Sequence, residues 1–221
     1  MKKIIIFGTT AFSKLMKWYI ENDSEDKVIA FTLNERYISE NSFCDLPVVS
    51  YEKLKEIYPE ADFELLITVG YTQMNKVRQK IFNQCLEDGY KITGFMHSTV
   101  AQYSDDIGIG NIFLEGVKLQ PFCKVGNGNI VQHFTIISHE ANVGDFNYFA
   151  GNAHIAGLSK VDDNCFVGIN GIVQNDVHLA SYNLVGAGTC VSRDTEEFTV
   201  TAPNKARSFK TNIRAMSMFL K

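Results

Sequence analysis

A chain of 221 residues with 45% apolar content has enough apolar side chains for one large or two modest cores. Its formal net charge of −4 excludes the basic field that recruits nucleic acid, and no Lys/Arg cluster marks an anionic membrane surface. No segment approaches the roughly 20 apolar residues of a membrane span, and no charged stretch leads into an apolar run as in a secretory leader.

The first hundred residues alternate strand and helix patterns. KIIIF (3–7) is a strand bounded by Gly8, and a helix follows with Ala11, Leu15, Met16, Tyr19 and Ile20 on one face. VIAFT (28–32) is a second strand, YEKLKEIY (51–58) a short amphipathic helix, and ELLITVG (64–70) a buried strand ending in glycine. TQMNKVRQKIFNQCLEDG (72–89) predicts a helix with Val77, Ile81 and Leu86 facing inward, and KITGFM (91–96) a last short strand. This alternation predicts an α/β, Rossmann-like βαβ domain over residues 1–98, a small parallel sheet covered by helices.

From about residue 100 the helical period gives way to a period of six. Ile107, Phe113, Leu119, Val125, Val131, Ile137, Val143, Phe149, Ile155, Val161, Val167, Val173, Leu179, Val185 and Val191 follow at six-residue steps, and their neighbours are mostly small. One large aliphatic side chain per hexapeptide is the signature of a parallel β-helix, here residues 99–200. Each hexapeptide forms one face of a prism, and three faces make one coil. Residues 201–221 leave the period as a loop and a helix carrying Phe209, Ile213, Met216, Phe219 and Leu220. Cys44, Cys85, Cys123, Cys165 and Cys190 are scattered and never spaced CxxC. They read as reduced, mostly buried thiols of a cytoplasmic protein, and not as a disulfide framework or zinc site.

The hexad register places His139 two residues after an interior position, on a flat face and pointing away from the core. His133 holds the same place one face earlier, and His154 and His178 each directly precede an interior residue. His133, His154 and His178 read as solvated surface histidines. His139 differs because Glu140 adjoins it. Histidine has a pKa near operating pH, so a positioned imidazole can accept the proton of an attacking nucleophile, and a nearby carboxylate favours its protonated form.

The order SHEANVGDF…AGNAHIAG…NCFVGIN…LVGAGTCV, behind a βαβ domain, resembles the bacterial sugar O- and N-acetyltransferases of the left-handed β-helix class. The nearest group contains the sialic acid O-acetyltransferases and the acetyltransferase of bacillosamine biosynthesis. The resemblance implies that His139, followed by Glu140 and the Val143–Gly144–Asp145–Phe146 turn, is the general base. It implies that the Gly157 backbone N–H stabilises the tetrahedral oxyanion. It places acetyl-CoA between two prisms of a homotrimer, along Tyr148, Gly157, Ile169 and Ala187. Tyr148 stands where the bacillosamine enzyme has a second histidine, and Ala187 replaces a glycine. Lys205 and Arg207, in an NKAR run like the family's P-A-K-R ending, are implied to meet the phosphates of coenzyme A.

FGTTAFSK (7–14) occupies the strand-to-helix turn where doubly wound folds bind ligands, yet it lacks GxGxxG, which disfavours a dinucleotide. The resemblance implies that Thr10, Ala11 and Phe12, with Asn34 and Glu35 after the second strand, contact the acceptor's nucleotide. GYTQMNKVR (70–78) resembles a stretch in a branch of sugar acyltransferases, which implies that Gly70 and Tyr71 lie over the crevice, with Tyr71 a candidate to stack on a base or Asn75 to bond a phosphate or sugar hydroxyl. The same stretch reads equally as a helix cap over a buried Met74.

The expected activity is acetyl-CoA-dependent N-acetylation of a nucleotide-linked amino sugar, such as a dTDP- or UDP-4-amino-4,6-dideoxyhexose, with no metal. Two alternatives stay open: O-acetylation of a sialic-acid-like sugar, and a non-catalytic β-helix that binds nucleotide sugars. A metal-dependent variant needs three converging histidines, but His133 and His139 lie on successive faces and His154 stands at a different point of the repeat.

Overall fold

The computed structural model describes residues 1–203 together with Lys210 and Ile213. Lys205, Arg207 and nearly all of the expected C-terminal helix lie outside the described residues. Among the described residues no helix is long and apolar enough to cross a membrane.

The N-terminal unit is a sheet of β1 (Lys3–Phe7), β2 (Lys27–Leu33), β3 (Ser42–Phe43), β4 (Leu46–Ser50) and β5 (Glu64–Ile67), in the order β3-β4-β2-β1-β5. All pairings are parallel except the β3–β4 hairpin. Period-two alternation splits β1 between two cores. Ile4 and Ile6 pack with Met16, Tyr19 and Ile20 of α1 (Ala11–Asp23), and Ile5 and Phe7 share a cluster with Leu54 of α2 (Leu54–Ile57) and with Phe82 and Cys85 of α3 (Lys76–Glu87).

Three local expectations change. Ala11 and Leu15 of α1 face solvent, and Ser13 joins Met16, Tyr19 and Ile20 on the buried stripe. The buried face of α3 is Arg78, Phe82 and Cys85, spaced i, i+4, i+7; Leu86 is exposed and Val77 and Ile81 are half-buried. The segment 91–96 does not serve the first sheet alone. Ile92 bridges Leu65 of β5, but Phe95 and Met96 pair with Ile112 and Phe113 and so open the prism.

The remainder is the left-handed parallel β-helix, with two-residue strands stacked in three sheets at an 18-residue interval. Every predicted interior position from Phe113 to Val191 is buried, and Ile107 is half-buried at the end of the coil. The small residues two places earlier, such as Cys123, Ala141, Ala153 and Cys165, are buried with them. Full burial of one such aliphatic side chain contributes about 1.5–3 kcal/mol, so the interior row alone drives the winding.

The three faces differ in what they turn outward. A docked face (strands at 112–113, 130–131, 148–149, 166–167 and 184–185) presents Ile112, Leu114 and Ile130 to the N-terminal unit, and they merge with the α1 core. A polar face carries Lys124, Asn142, Lys160 and His178. Between them an open face carries Lys118, Ile136, His154, Ile172 and Cys190.

Arg78 fastens the two units together. Its Nε donates to Gly128 O (2.9 Å), Nη1 to Val69 O (3.2 Å) and Gly70 O (2.8 Å), and Nη2 to Phe146 O (2.9 Å) and Asn147 O (3.1 Å). The guanidinium is almost wholly buried; desolvation draws its pKa down to about 9, which leaves it charged at neutral pH. Five carbonyls, each at the end of a loop or turn, therefore share one cation.

Candidate active site

His139 stands where the open face turns into the polar face. Its backbone N–H donates to Gln120 Oε1 (3.0 Å), and the Glu140 N–H to Pro121 O (3.3 Å), both one coil below. Glu140 is the corner residue and adopts left-handed backbone, φ 57°. That conformation turns its side chain back along the edge, bringing Oε2 to 3.3 Å from His139 Nδ1. Both side chains are about half exposed, 52% and 55%. A proton on Nδ1 is held by Glu140 and leaves Nε2 as the acceptor.

Gly157 lies one coil above. It is buried and has ordinary φ, so its lack of a side chain answers to space: a Cβ there would sit 2.6 Å from His139 Nε2. Among the described residues the Gly157 N–H has no acceptor, whereas the Leu158 N–H donates to His139 O (3.1 Å). A basic nitrogen thus lies against a glycine whose backbone donor is unused. That arrangement can deprotonate a nucleophile and stabilise an oxyanion.

The other expected residues are elsewhere in the chain. Tyr148 is on the docked face, stacked on Phe166 (centroids 5.3 Å, 11°), with Tyr71 edge-on to both at 5.1 and 5.0 Å. The Tyr148 hydroxyl accepts from Gln132 Nε2 (3.1 Å), and burial raises its pKa, so it stays a phenol. Ile169 and Ala187 are exposed at the edge between docked and open faces. The expected site residues therefore fall into two groups, His139–Glu140–Gly157 at one edge of the open face and Tyr71–Tyr148–Ile169–Ala187 around the other.

Thr10 caps α1 in a reciprocal arrangement with Ser13, Ala11 is exposed, and Phe12 is half-buried against the α1 core. Asn34 and Glu35 are organised by Glu52, whose carboxylate accepts from Asn34 Nδ2 (3.2 Å), the Glu35 N–H (2.9 Å) and Ser50 Oγ (2.7 Å). Asn34 and Tyr51 line a cleft of about 890 Å³ at the carboxyl ends of β1 and β2, together with Phe7, Arg36, Lys76 and Lys80. Gly70 holds its position through Arg78, and Tyr71 points to the prism, away from this cleft. Asn75 stands at the N-cap position of α3, but its fully buried side chain makes no cap bond and instead donates Nδ2 to Cys165 O of the prism (3.0 Å), and Met74 beside it is half-buried.

Two histidines read as solvated have protein partners: His154 Nε2 lies 3.0 Å from Ser138 Oγ, and His178 Nε2 2.7 Å from Asp162 Oδ2. Gln120 and Arg78 were invisible as site-shaping residues in the sequence. Only the 18-residue interval to His139 hinted at a contact from the coil below. Among the described residues no group of three or more His, Cys, Asp or Glu could hold a metal ion.

No family model matches the chain. The acetyltransferase domain of PglB from Neisseria gonorrhoeae FA1090 superposes with a TM-score of 0.80 over 95% of this chain and 100% of that one, at 19% identity. PerB from Caulobacter crescentus, solved in complex with CoA and GDP-perosamine, gives a TM-score of 0.78 over 92% and 95%, also at 19% identity. By sequence, the acyl-[acyl-carrier-protein]–UDP-N-acetylglucosamine O-acyltransferase of Pseudomonas fluorescens SBW25 is 26% identical over 117 residues, 50% of this chain and 45% of the relative. The chain spans about half the length of the curated relatives it matches. Its fold is that of the hexapeptide-repeat, left-handed β-helix acetyltransferases with an N-terminal Rossmann-like unit.

Proposed function

We propose that the protein is an acetyl-CoA-dependent N-acetyltransferase acting on a nucleotide-linked amino sugar. It works in the cytoplasm as a homotrimer with sites between subunits. The observation that carries this reading is the edge at His139, where Nε2 lies against Gly157, whose N–H has no acceptor among the described residues, and Glu140 backs the imidazole. The sugar's amine attacks the thioester carbonyl and Nε2 takes its proton. The Gly157 N–H donates to the oxyanion that forms, and collapse of the intermediate releases the thiolate of coenzyme A and leaves an amide.

The division of site residues between two edges supports assembly. The open face separates them and carries Ile136 and Ile172, whereas the polar face carries lysines. A second copy against the open face brings its own Tyr71, Tyr148, Ile169 and Ala187 towards His139. Exposed Ile169 and Ala187, two and three coils above His133, then form one wall for a long thin substrate such as acetyl-CoA, and Tyr71 and the cleft at Asn34 offer stacking and cationic contacts for a nucleotide. The PglB acetyltransferase domain has been solved with acetyl coenzyme A, and PerB with GDP-perosamine, which supports both substrate classes.

The test is thiol release from acetyl-CoA with dTDP- and UDP-4-amino sugars and with free sialic acid. Release with an amino sugar, abolished in His139→Ala, is expected. Release with sialic acid alone identifies an O-acetyltransferase, and undiminished turnover in His139→Ala means that the imidazole takes no part.

A further inference from the structure

The corner at His139 has a counterpart six residues earlier. His133 also sits two places after an interior residue, and Gly151, 18 residues on, lies directly above it. Gly151 is buried with ordinary φ, and a Cβ there would meet His133 Nε2 at 2.5 Å, matching Gly157 over His139 at 2.6 Å. The Gly151 N–H likewise has no acceptor among the described residues. Of the two corners, only one has a carboxylate: Phe134 replaces Glu140, and its ring meets the His133 imidazole edge-on at 5.8 Å.

The two corners bound the open face on opposite sides within a single coil, since Ile130–Val131 and Ile136–Ile137 are its consecutive strands. Rotation about an axis parallel to the prism keeps every residue at its own height. An edge bearing His133 in one copy therefore meets an edge bearing His139 in the next at the same level. Ile169 and Ala187 continue the His133 edge upward at 18-residue steps.

We propose that His133 of a second copy completes the site of His139, as an imidazole that hydrogen-bonds the thioester end of acyl-CoA from across the groove. This rests on the intersubunit acyltransferase reading above. Gly151 serves it as Gly157 serves His139, by keeping the imidazole flat against the wall and leaving a backbone donor beside it. Without a carboxylate neighbour His133 binds and orients, whereas His139 moves the proton.

The test measures the acetyl-CoA Kd by calorimetry, and thiol release with a UDP-4-amino-4,6-dideoxyhexose, in the full chain. His133→Ala is expected to weaken acetyl-CoA binding about tenfold, the value of one hydrogen bond, with His133→Asn partly restoring it and His133→Phe not. Gly151→Ala, whose new methyl would have ring atoms of His133 as its three nearest neighbours, is expected to act in the same direction. Co-assembled His133→Ala and His139→Ala chains carry an intact pair at one interface in four, so about a quarter of wild-type turnover returns although His139→Ala alone has none. Wild-type Kd and turnover in His133→Ala would overturn the proposal while leaving the acyltransferase reading intact. Mixed assemblies no more active than the mean of their parents would overturn it too, because His133 would then act within its own chain. Activity in His139→Ala alone would instead defeat the underlying reading.

Discussion

The third residue after each interior position from Ile107 to Val185 turns the prism's corner at positive φ, and glycine, asparagine or aspartate fills it at Gly128, Asn152, Asn164, Asn170 and Asp176. Bulky residues there cost about 1–2 kcal/mol each. Glu140 accepts this cost, and the left-handed backbone places its carboxylate on His139 Nδ1. Glu140→Gln keeps the shape but replaces the anion. It is expected to lower kcat roughly tenfold, against about 10²–10⁴-fold for His139→Ala, measured by thiol release at saturating acetyl-CoA. Equal rates in wild type and Glu140→Gln would show that the imidazole needs no carboxylate. Glu52 acts on the other side of the molecule. Burial alone would raise its pKa, but hydrogen bonds from Ser50 and the Asn34–Glu35 loop outweigh this and hold it at about 2. A carboxylate with a depressed folded pKa stabilises the fold above its unfolded value, near 4.3, and loses that contribution as pH falls towards 2. Glu52→Gln should therefore lower the urea midpoint at pH 7, and the gap to wild type should close progressively below about pH 4. A gap that widens on acidification would contradict this.

At the scale of elements, Arg78 does what no strand or helix propensity announces. Replacing it by Met preserves the length of the stem and strands four of the five carbonyls without donors, since Asn147 O keeps the Ile130 N–H (3.0 Å). A loss of about 3–5 kcal/mol is expected, together with weaker acceptor binding as the Gly70–Tyr71 turn loosens; chemical denaturation and acceptor KM report the two. A Met variant of wild-type stability would mean that water replaces the guanidinium. Arg78 also explains the misread face of α3: a charged residue is ordinarily set on the solvent side, so Val77, Ile81 and Leu86 were the natural apolar stripe. In α1 the buried Ser13 bonds Thr68 Oγ1 (2.7 Å), a contact across 55 residues that no local pattern contains. The hexad core, by contrast, was legible position by position, because a single period repeated over fifteen steps overrides local noise. The site was legible in part. The 18-residue interval already ties His139 to Gly157 and His133 to Ile169 and Ala187, but separates Tyr148, nine residues from His139, onto another face. Which edges face each other depends on contacts outside one chain, and no periodicity encodes those.

At the scale of the whole molecule, the proposed function gives one copy two half-sites, on opposite sides of the open face. The proposed site must then appear and disappear with assembly. Ile172 is 38% exposed in the single chain, at the centre of that face, so Ile172→Lys adds a charge that an isolated prism tolerates and a buried contact does not. The variant is expected to keep the circular dichroism of the wild type, to sediment as single copies, and to lose nearly all turnover. Wild-type protein should show the same dependence through mass action, with specific activity falling on dilution. Excess acetyl-CoA should shift that loss to lower protein concentration, because a ligand that binds only the assembled form stabilises it by RT ln(1 + [L]/Kd), about 2.7 kcal/mol at a hundredfold excess over Kd. Ile172→Lys chains that sediment singly and still turn over at the wild-type rate would place the whole reaction within one subunit, and both the division of the site and the role of the second copy would fall with that result.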